Sequence, residues 1–142
     1  MSLKTNLKNL LLILLLCSTV IFASESNLVE KESPVYAEDK LNIVVDPHHP
    51  VFVIKLKSNP TTGYSWFLRE YNSNLMTPLK HSFQPPSTAL IGAAGSESWT
   101  FRIKPAAFVV PHQMPIRFVY ARPWQGADNS TQIVFRVTTL MK

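Results

Sequence analysis

The chain has 142 residues, enough for one domain with its own hydrophobic core. It carries 14 basic and 9 acidic residues and a formal net charge of +5. Because these charges are interspersed rather than clustered, the sequence argues against nucleic acid as a partner.

Residues 1–23 predict a secretory signal peptide. Lys4 and Lys8 form a basic start, and an apolar run extends from Leu10 to Phe22 before two small residues. That run is too short and too close to the N-terminus for a membrane-spanning helix. The sequence therefore predicts a secreted or periplasmic protein without membrane contact after cleavage, with an uncleaved N-terminal anchor as the alternative.

The only cysteine, Cys17, lies inside the apolar run. A lipid-attachment site requires a small residue before the cysteine, and Leu16 disfavours it. Cleavage leaves no cysteine, which excludes a disulfide, a thiol nucleophile and a cysteine-based metal site. Removing Lys4 and Lys8 from the 14 basic residues leaves 12 against 9 acidic residues, a net charge of +3.

Residues 24–40 are polar and predict an N-terminal arm, and the pattern from Leu41 to Lys142 predicts one domain built of β-strands. Strands are indicated by alternating apolar residues bounded by turn residues: Leu41–Val45, Val51–Lys57, Tyr64–Glu70, Leu79–Phe83, Glu97–Ile103, Ile116–Ala121 and Thr131–Leu140. No helical period is sustained outside the signal peptide. The predicted fold is an all-β, immunoglobulin-like β-sandwich of about seven or eight strands without a disulfide.

Enzymatic motifs are missing from the sequence, which contains no serine-centred elbow, no HExxH and no glycine-rich phosphate loop. Four histidines raise the question of a metal. His48 and His49 are adjacent in a proline-flanked turn, and His81 and His112 have no partner at ligand spacing. The sequence therefore predicts no enzyme, no metal, no cofactor and no small-molecule substrate.

The first of three distinctive loops reads NPTTGY, from Asn59 to Tyr64. Pro60 fixes its own φ and restricts Asn59, and Gly63 can adopt a positive φ. These residues suffice for a hairpin turn. Thr61 and Thr62 are stiff and are not required by a turn, so the loop is also a candidate for a rigid binding element.

The second loop contains Gly92, Ala93, Ala94 and Gly95 after two prolines. It is either a flexible connector or an exposed backbone that another chain can approach closely.

The third loop begins with Arg122, Pro123 and Trp124, directly after a predicted strand. A tryptophan there is either part of the core edge or a surface anchor, since Trp and Arg dominate binding hot spots. In an immunoglobulin-like sandwich the first and third loops cluster at one end, and the second can lie beside them.

In this order, NPTTG, GAAG and RPW resemble the three motif loops of the chagasin family of cysteine protease inhibitors. The resemblance covers the chain from about Leu41 to its end. The second loop departs from the family's GxGG pattern, because Ala94 stands where the family has glycine. NPTTG and RPW together are specific, whereas either alone is weak.

The resemblance implies a reversible, tight-binding inhibitor of papain-like cysteine proteases. Residues 59–63 would fill the active-site cleft, with Thr61 and Thr62 nearest the catalytic groups. Residues 92–95 would line one side of the cleft through their backbone, and residues 122–124 would flank the other. The implied partner is a papain-like protease bound by a monomer. The alternative is a non-inhibitory secreted immunoglobulin-like binding or adhesion module.

Overall fold

The computed structural model describes residues 33–88, 92–125 and 130–141, which form eight β-strands and two short 3₁₀ turns. The predicted signal peptide, Cys17 and the first part of the predicted arm lie outside the described residues. The strands are β1 Val35–Tyr36, β2 Asn42–Val45, β3 Val51–Ser58, β4 Ser65–Glu70, β5 Met76–Gln84, β6 Gly95–Ile103, β7 Gln113–Ala121 and β8 Thr131–Thr139. The 3₁₀ turns are Pro60–Thr62 and Pro105–Phe108.

Two four-stranded sheets form a sandwich, with the orders β1-β3-β6-β5 and β2-β8-β7-β4. β1 and β2 join their sheets in parallel, next to β3 and β8, and the remaining pairs are antiparallel. The described residues include neither an α-helix nor any helix long enough to span a membrane. The prediction of an all-β sandwich with seven or eight strands is confirmed.

β1 was not predicted as a strand, because residues 24–40 carry the polar composition of an arm. In the structure Val35 pairs with Val53, and the Val53 N–H donates to the carbonyl of Pro34 at 2.9 Å. Tyr36 is buried against Phe52, with ring centroids 6.3 Å apart. The described domain therefore begins before Leu41, with a strand too short to show an alternating pattern.

Two strands begin earlier than the sequence indicated, because each predicted strand started directly after a proline that the observed strand includes. Pro78 lies in β5, which is a sheet edge, next to a bulge between Pro78 and Lys80. Pro115 lies in β7 beyond the last pair with β4, which is Arg117 with Glu70. Both prolines are thus at positions where one side of the strand has no neighbour, and a missing N–H is tolerated there.

Four fully buried phenylalanines connect the two sheets. Phe52 of β3 stacks on Phe101 of β6 at 5.7 Å, Phe101 contacts Phe118 of β7 at 6.4 Å, and Phe118 contacts Phe135 of β8 at 6.2 Å. Each lies at an inward position of the period-2 alternation. This aromatic packing holds the sheets together where many sandwich domains have a disulfide.

Candidate functional site

The strand register brings the three distinctive loops to one end of the sandwich. We name them L1 (59–64, between β3 and β4), L2 (85–94, between β5 and β6) and L3 (122–130, between β7 and β8). Ser58, before L1, pairs with Gly95, after L2. Ser65, after L1, pairs with Ala121, before L3. L1 is therefore rooted between the other two loops.

L1 is a 3₁₀ turn closed by its own backbone. The Thr62 N–H donates to the carbonyl of Asn59 at 3.2 Å, and the Gly63 N–H donates to the carbonyl of Pro60 at 2.9 Å. Gly63 ends the turn with φ 80°, in the left-handed region that favours glycine. Pro60, Thr61 and Thr62 are exposed at the tip.

Both threonine hydroxyls are hydrogen-bonded inside L1. Thr61 Oγ1 donates to Asn59 Oδ1 at 2.6 Å, and Thr62 Oγ1 donates to the Asn59 carbonyl at 2.7 Å. The sequence alone does not require these threonines for a turn, whereas in the structure their hydroxyls help to hold it. Their hydroxyl protons are used internally, so each hydroxyl oxygen is left mainly as an acceptor.

L3 packs directly on L1. Arg122 Nε donates to the Thr62 carbonyl at 3.1 Å, and the guanidinium lies 4.6 Å from the ring centroid of Tyr64. Trp124 lies against Gly63, where an added Cβ would be 2.9 Å from the indole Cη2. Arg122 therefore joins the two loops, in addition to any contact it makes with a partner.

Trp124 is 71% exposed although its ring edge rests on Gly63. A tryptophan belonging to the core edge would be largely buried. Of the two interpretations from the sequence, the exposure favours a surface anchor. Pro123 is exposed beside it.

Tyr120, which lies in β7 and in none of the sequence motifs, supports L1 through its hydroxyl and its ring. Its hydroxyl accepts the Asn59 N–H at 3.0 Å, and its ring stacks on Tyr64 at 5.3 Å and contacts Trp66 at 4.9 Å. The alternation of Ile116, Phe118 and Tyr120 places this residue on the inner face. A tyrosine hydroxyl at the inner end of a strand needs a partner, and that requirement was the available signal.

Gly95, which the sequence pattern assigned to the second loop, is the closely packed first residue of β6, whereas Gly92 in L2 is open. A Cβ on Gly95 would lie 2.5 Å from the Gln84 carbonyl oxygen and 2.7 Å from the Phe83 ring, whereas one on Gly92, which has φ 84°, would meet nothing within 4 Å. Ala93 is half-buried and Ala94 exposed. No described residue other than glycine has positive φ, so the alanine at position 94 causes no backbone strain.

Local contacts account for His48 and His49. Asp46 accepts the backbone N–H groups of His48 at 2.8 Å and His49 at 3.1 Å, and its other oxygen lies 3.3 Å from His49 Nδ1. Partial burial alone would raise the pKa of Asp46, but these hydrogen bonds hold that pKa below its usual value. Within the described ranges no three His, Cys, Asp or Glu side chains are grouped as metal ligands.

Comparison with known proteins identifies the class. The family model for the chagasin family peptidase inhibitor I42 matches residues 49–139. Chagasin from Trypanosoma cruzi is 30% identical over 93 residues, which cover 63% of this chain and 77% of that protein.

Solved structures share the fold. A cysteine protease inhibitor from Entamoeba histolytica has a TM-score of 0.56 at 16% identity, and the match covers 77% of this chain and 95% of that inhibitor's chain. The solution structure of Amebosin has a TM-score of 0.53 at 21% identity, and the match covers 78% of this chain and 98% of the Amebosin chain. The sandwich described above is thus shared with both of these solved structures. The chain belongs to the chagasin family, whose model spans all three loops.

Proposed function

We propose that this protein occludes the active-site cleft of papain-like cysteine proteases reversibly, as a monomer, with L1 in the cleft and L2 and L3 on either side. The observation that carries the proposal is the exposed, internally hydrogen-bonded 3₁₀ turn of L1, rooted between two loops and flanked by an exposed tryptophan.

The turn conformation explains how L1 can fill a cleft without being cleaved. A protease substrate is attacked at a carbonyl held close to the nucleophile in a near-attack geometry. L1 bends back on itself through the bonds from Thr62 to Asn59 and from Gly63 to Pro60. An extended peptide cannot form there without breaking those bonds, so L1 does not present a carbonyl for attack. Because no covalent bond forms with the protease, binding is reversible.

The order of L1 before binding reduces the entropic cost of association. Six residues of a flexible loop would lose backbone and side-chain freedom on binding, at about 1–2 kcal/mol per residue for the backbone alone. In L1 this freedom is already restricted by Pro60, by the two threonine hydroxyls and by the Arg122 contact. More of the contact energy with the protease is therefore available as affinity.

The other loops supply different surfaces. In L2, the exposed Gly92 and Ala94 leave room for the backbone of another chain to approach closely. In L3, Trp124 offers a large apolar ring beside the L1 tip. An exposed tryptophan fixed at one edge is suited to an apolar patch on the protease rim.

Titration of active-site-quantified papain with the purified domain tests this function. We expect competitive, reversible inhibition and a one-to-one complex of inhibitor monomer and enzyme by light scattering. Recovery of active enzyme on dilution checks reversibility. The absence of inhibition at micromolar concentration across papain-like enzymes would instead favour the non-inhibitory binding module.

The replacement Trp124→Ala tests the role of L3. We expect the dissociation rate constant of the papain complex to rise roughly 30-fold, which corresponds to the loss of about 2 kcal/mol for a hot-spot residue. The free energy of unfolding should change by no more than about 0.5 kcal/mol, as for other exposed positions. Stopped-flow or surface-binding kinetics and chemical denaturation measure the two quantities.

Val109→Ala is the matched control for that replacement. Val109 is 72% exposed and follows the 3₁₀ turn after β6, at the end of the sandwich opposite L1. It should leave the dissociation rate unchanged. Global unfolding of Trp124→Ala would show that Trp124 is part of the core and not an anchor.

We further propose that residues 1–23 are removed and that the mature inhibitor is secreted or periplasmic. The basic start and apolar run of the sequence support this. Mass spectrometry of the protein in its native host is expected to show an N-terminus near Ser24 in the extracellular or periplasmic fraction. An intact N-terminus in a membrane fraction would establish the uncleaved anchor instead.

A further inference from the structure

Below L1 lies a buried carboxylate that the protease-binding proposal does not use. Glu97, in β6, is 3% exposed, and its partner across the strand pair, Leu56, is fully buried. Glu97 is a charged residue at an inward position of β6, and it interrupts the apolar alternation that continues with Trp99, Phe101 and Ile103. Burying a carboxylate is costly unless its oxygens are hydrogen-bonded, so its contacts should explain its presence.

One oxygen of Glu97 receives a hydrogen bond from each side of L1. Ser58, the last residue of β3, donates its hydroxyl to Oε1 at 2.5 Å, and the backbone N–H of Trp66 in β4 donates to the same atom at 3.2 Å. Ser58 precedes Asn59, and Trp66 follows Tyr64 by two positions. The carboxylate therefore bridges the two strands from which L1 emerges.

The other oxygen reaches the strand that leads into L2. Oε2 lies 2.9 Å from His81 Nε2, and the His81 ring is stacked on Trp99 at 3.9 Å with an interplanar angle of 17°. His81 belongs to β5, as do Phe83 and Gln84, which pack where a Cβ on Gly95 would lie. The Glu97 carboxylate is thus hydrogen-bonded both to the strands that flank L1 and to the strand that leads into L2.

We propose that Glu97 is a positioning residue that holds L1 in its 3₁₀ turn and sets it relative to L2. The inference rests on the proposed function for its consequence, which is tighter inhibition, but the ordering of L1 can be measured without any protease. Tyr120 performs a corresponding task from the other sheet, where it contacts Asn59 and Tyr64. L1 is then fixed from both sheets by side chains that do not reach its exposed tip.

Replacing Glu97 with Gln or Leu separates hydrogen bonding from packing. Glu97→Gln keeps a side-chain oxygen for Ser58 and Trp66, and its amide can donate to His81 Nε2 in the neutral ring. Glu97→Leu keeps apolar bulk and removes every acceptor, which leaves the buried Trp66 N–H without a partner. Ser58→Ala removes a single donor to Glu97. If Glu97→Leu does not fold, this variant tests whether the hydrogen bonds of Glu97 hold L1.

The matched control is Thr100→Val on the same strand. Thr100 is buried, and its hydroxyl has no hydrogen-bond partner in the described part of the chain. The replacement keeps the shape of a buried β-branched side chain and does not touch L1. It controls for a change of polarity within β6.

The experiment measures amide hydrogen exchange by NMR and inhibition of papain for each variant. With Glu97→Leu, or with Ser58→Ala to a smaller degree, we expect the Thr62 and Gly63 amides to exchange about tenfold faster relative to Phe52 and Phe101 amides. The inhibition constant should rise about tenfold. Glu97→Gln should stay within about threefold of the unmodified protein on both measures, and Thr100→Val should match it.

Two outcomes would overturn the inference. One is L1 exchange that rises only in step with exchange of the core amides, which would make Glu97 a general stability residue. The other is an unchanged inhibition constant for variants whose L1 amides do exchange faster. If the unmodified protein does not inhibit papain, the proposed function fails, and the exchange rates alone decide whether Glu97 positions L1.

Discussion

Thr62→Asp is expected to abolish tight inhibition while the domain remains folded. Thr62 is exposed at the L1 tip, and in the proposed complex this tip is enclosed by the protease cleft. On binding, a carboxylate at this position must leave water without a hydrogen-bond or charge partner arranged to receive it. The cost is at least about 3 kcal/mol, which corresponds to more than 100-fold in the inhibition constant.

Thr62→Asn is the control for shape, because its side chain matches that of aspartate without the charge. Both replacements remove the Thr62 Oγ1 bond to the Asn59 carbonyl, so both are expected to lower the free energy of unfolding by about 1 kcal/mol or less. Only the charged variant should lose most of its inhibition of papain in a tight-binding titration. Equal inhibition by both variants would show that the L1 tip stays in water in the complex.

Gly63→Ala is expected to weaken inhibition roughly 30-fold by displacing Trp124 of L3 from L1. Gly63 has φ 80°, where alanine costs roughly 1–2 kcal/mol, and the new Cβ would lie 2.9 Å from Trp124 Cη2 and 3.3 Å from Cζ2. The indole must move, and its anchor contact, about 2 kcal/mol, is lost with it. The measured quantity is the inhibition constant for papain.

Two comparisons assign the cause of that loss. Gly92→Ala introduces the same kind of backbone strain at φ 84° with open space around the new Cβ, so its effect on the free energy of unfolding measures the strain alone. In a Trp124→Ala background, Gly63→Ala should cost much less inhibition, because the ring it displaces is absent. Additive effects of the two replacements would exclude a route through Trp124.

The fold was predictable because most of its strands are described by local patterns. The alternation of Ile116, Phe118 and Tyr120, or of Ile133, Phe135 and Val137, specifies which face is buried without reference to any distant residue. β1 escaped prediction because its two residues cannot show a period. Its place in the sheet is decided by the free edge of β3.

The candidate site was predictable only in part. The turn at L1 follows from the backbone preferences of Pro60 and Gly63, and the motif resemblance drew attention to all three loops. For Tyr120 and Glu97 the sequence indicates only that a polar group at an inward strand position needs a hydrogen-bond partner, and not which residue supplies it. Their importance comes from contacts with L1, and a hydrogen-bond partner across the sandwich cannot be read from neighbouring residues.

Local sequence patterns were enough to predict the all-β class and the stiff turn in L1, and the loop motifs carried the resemblance to an inhibitor family. The contact of Arg122 with L1, the exposure of Trp124 and the bridging position of Glu97 follow only from the packing of the strands. The physical reason is the range of the interactions. Turn and strand preferences act between neighbours, whereas Arg122 and Thr62 are 60 residues apart and meet only because β4 and β7 pair in one register.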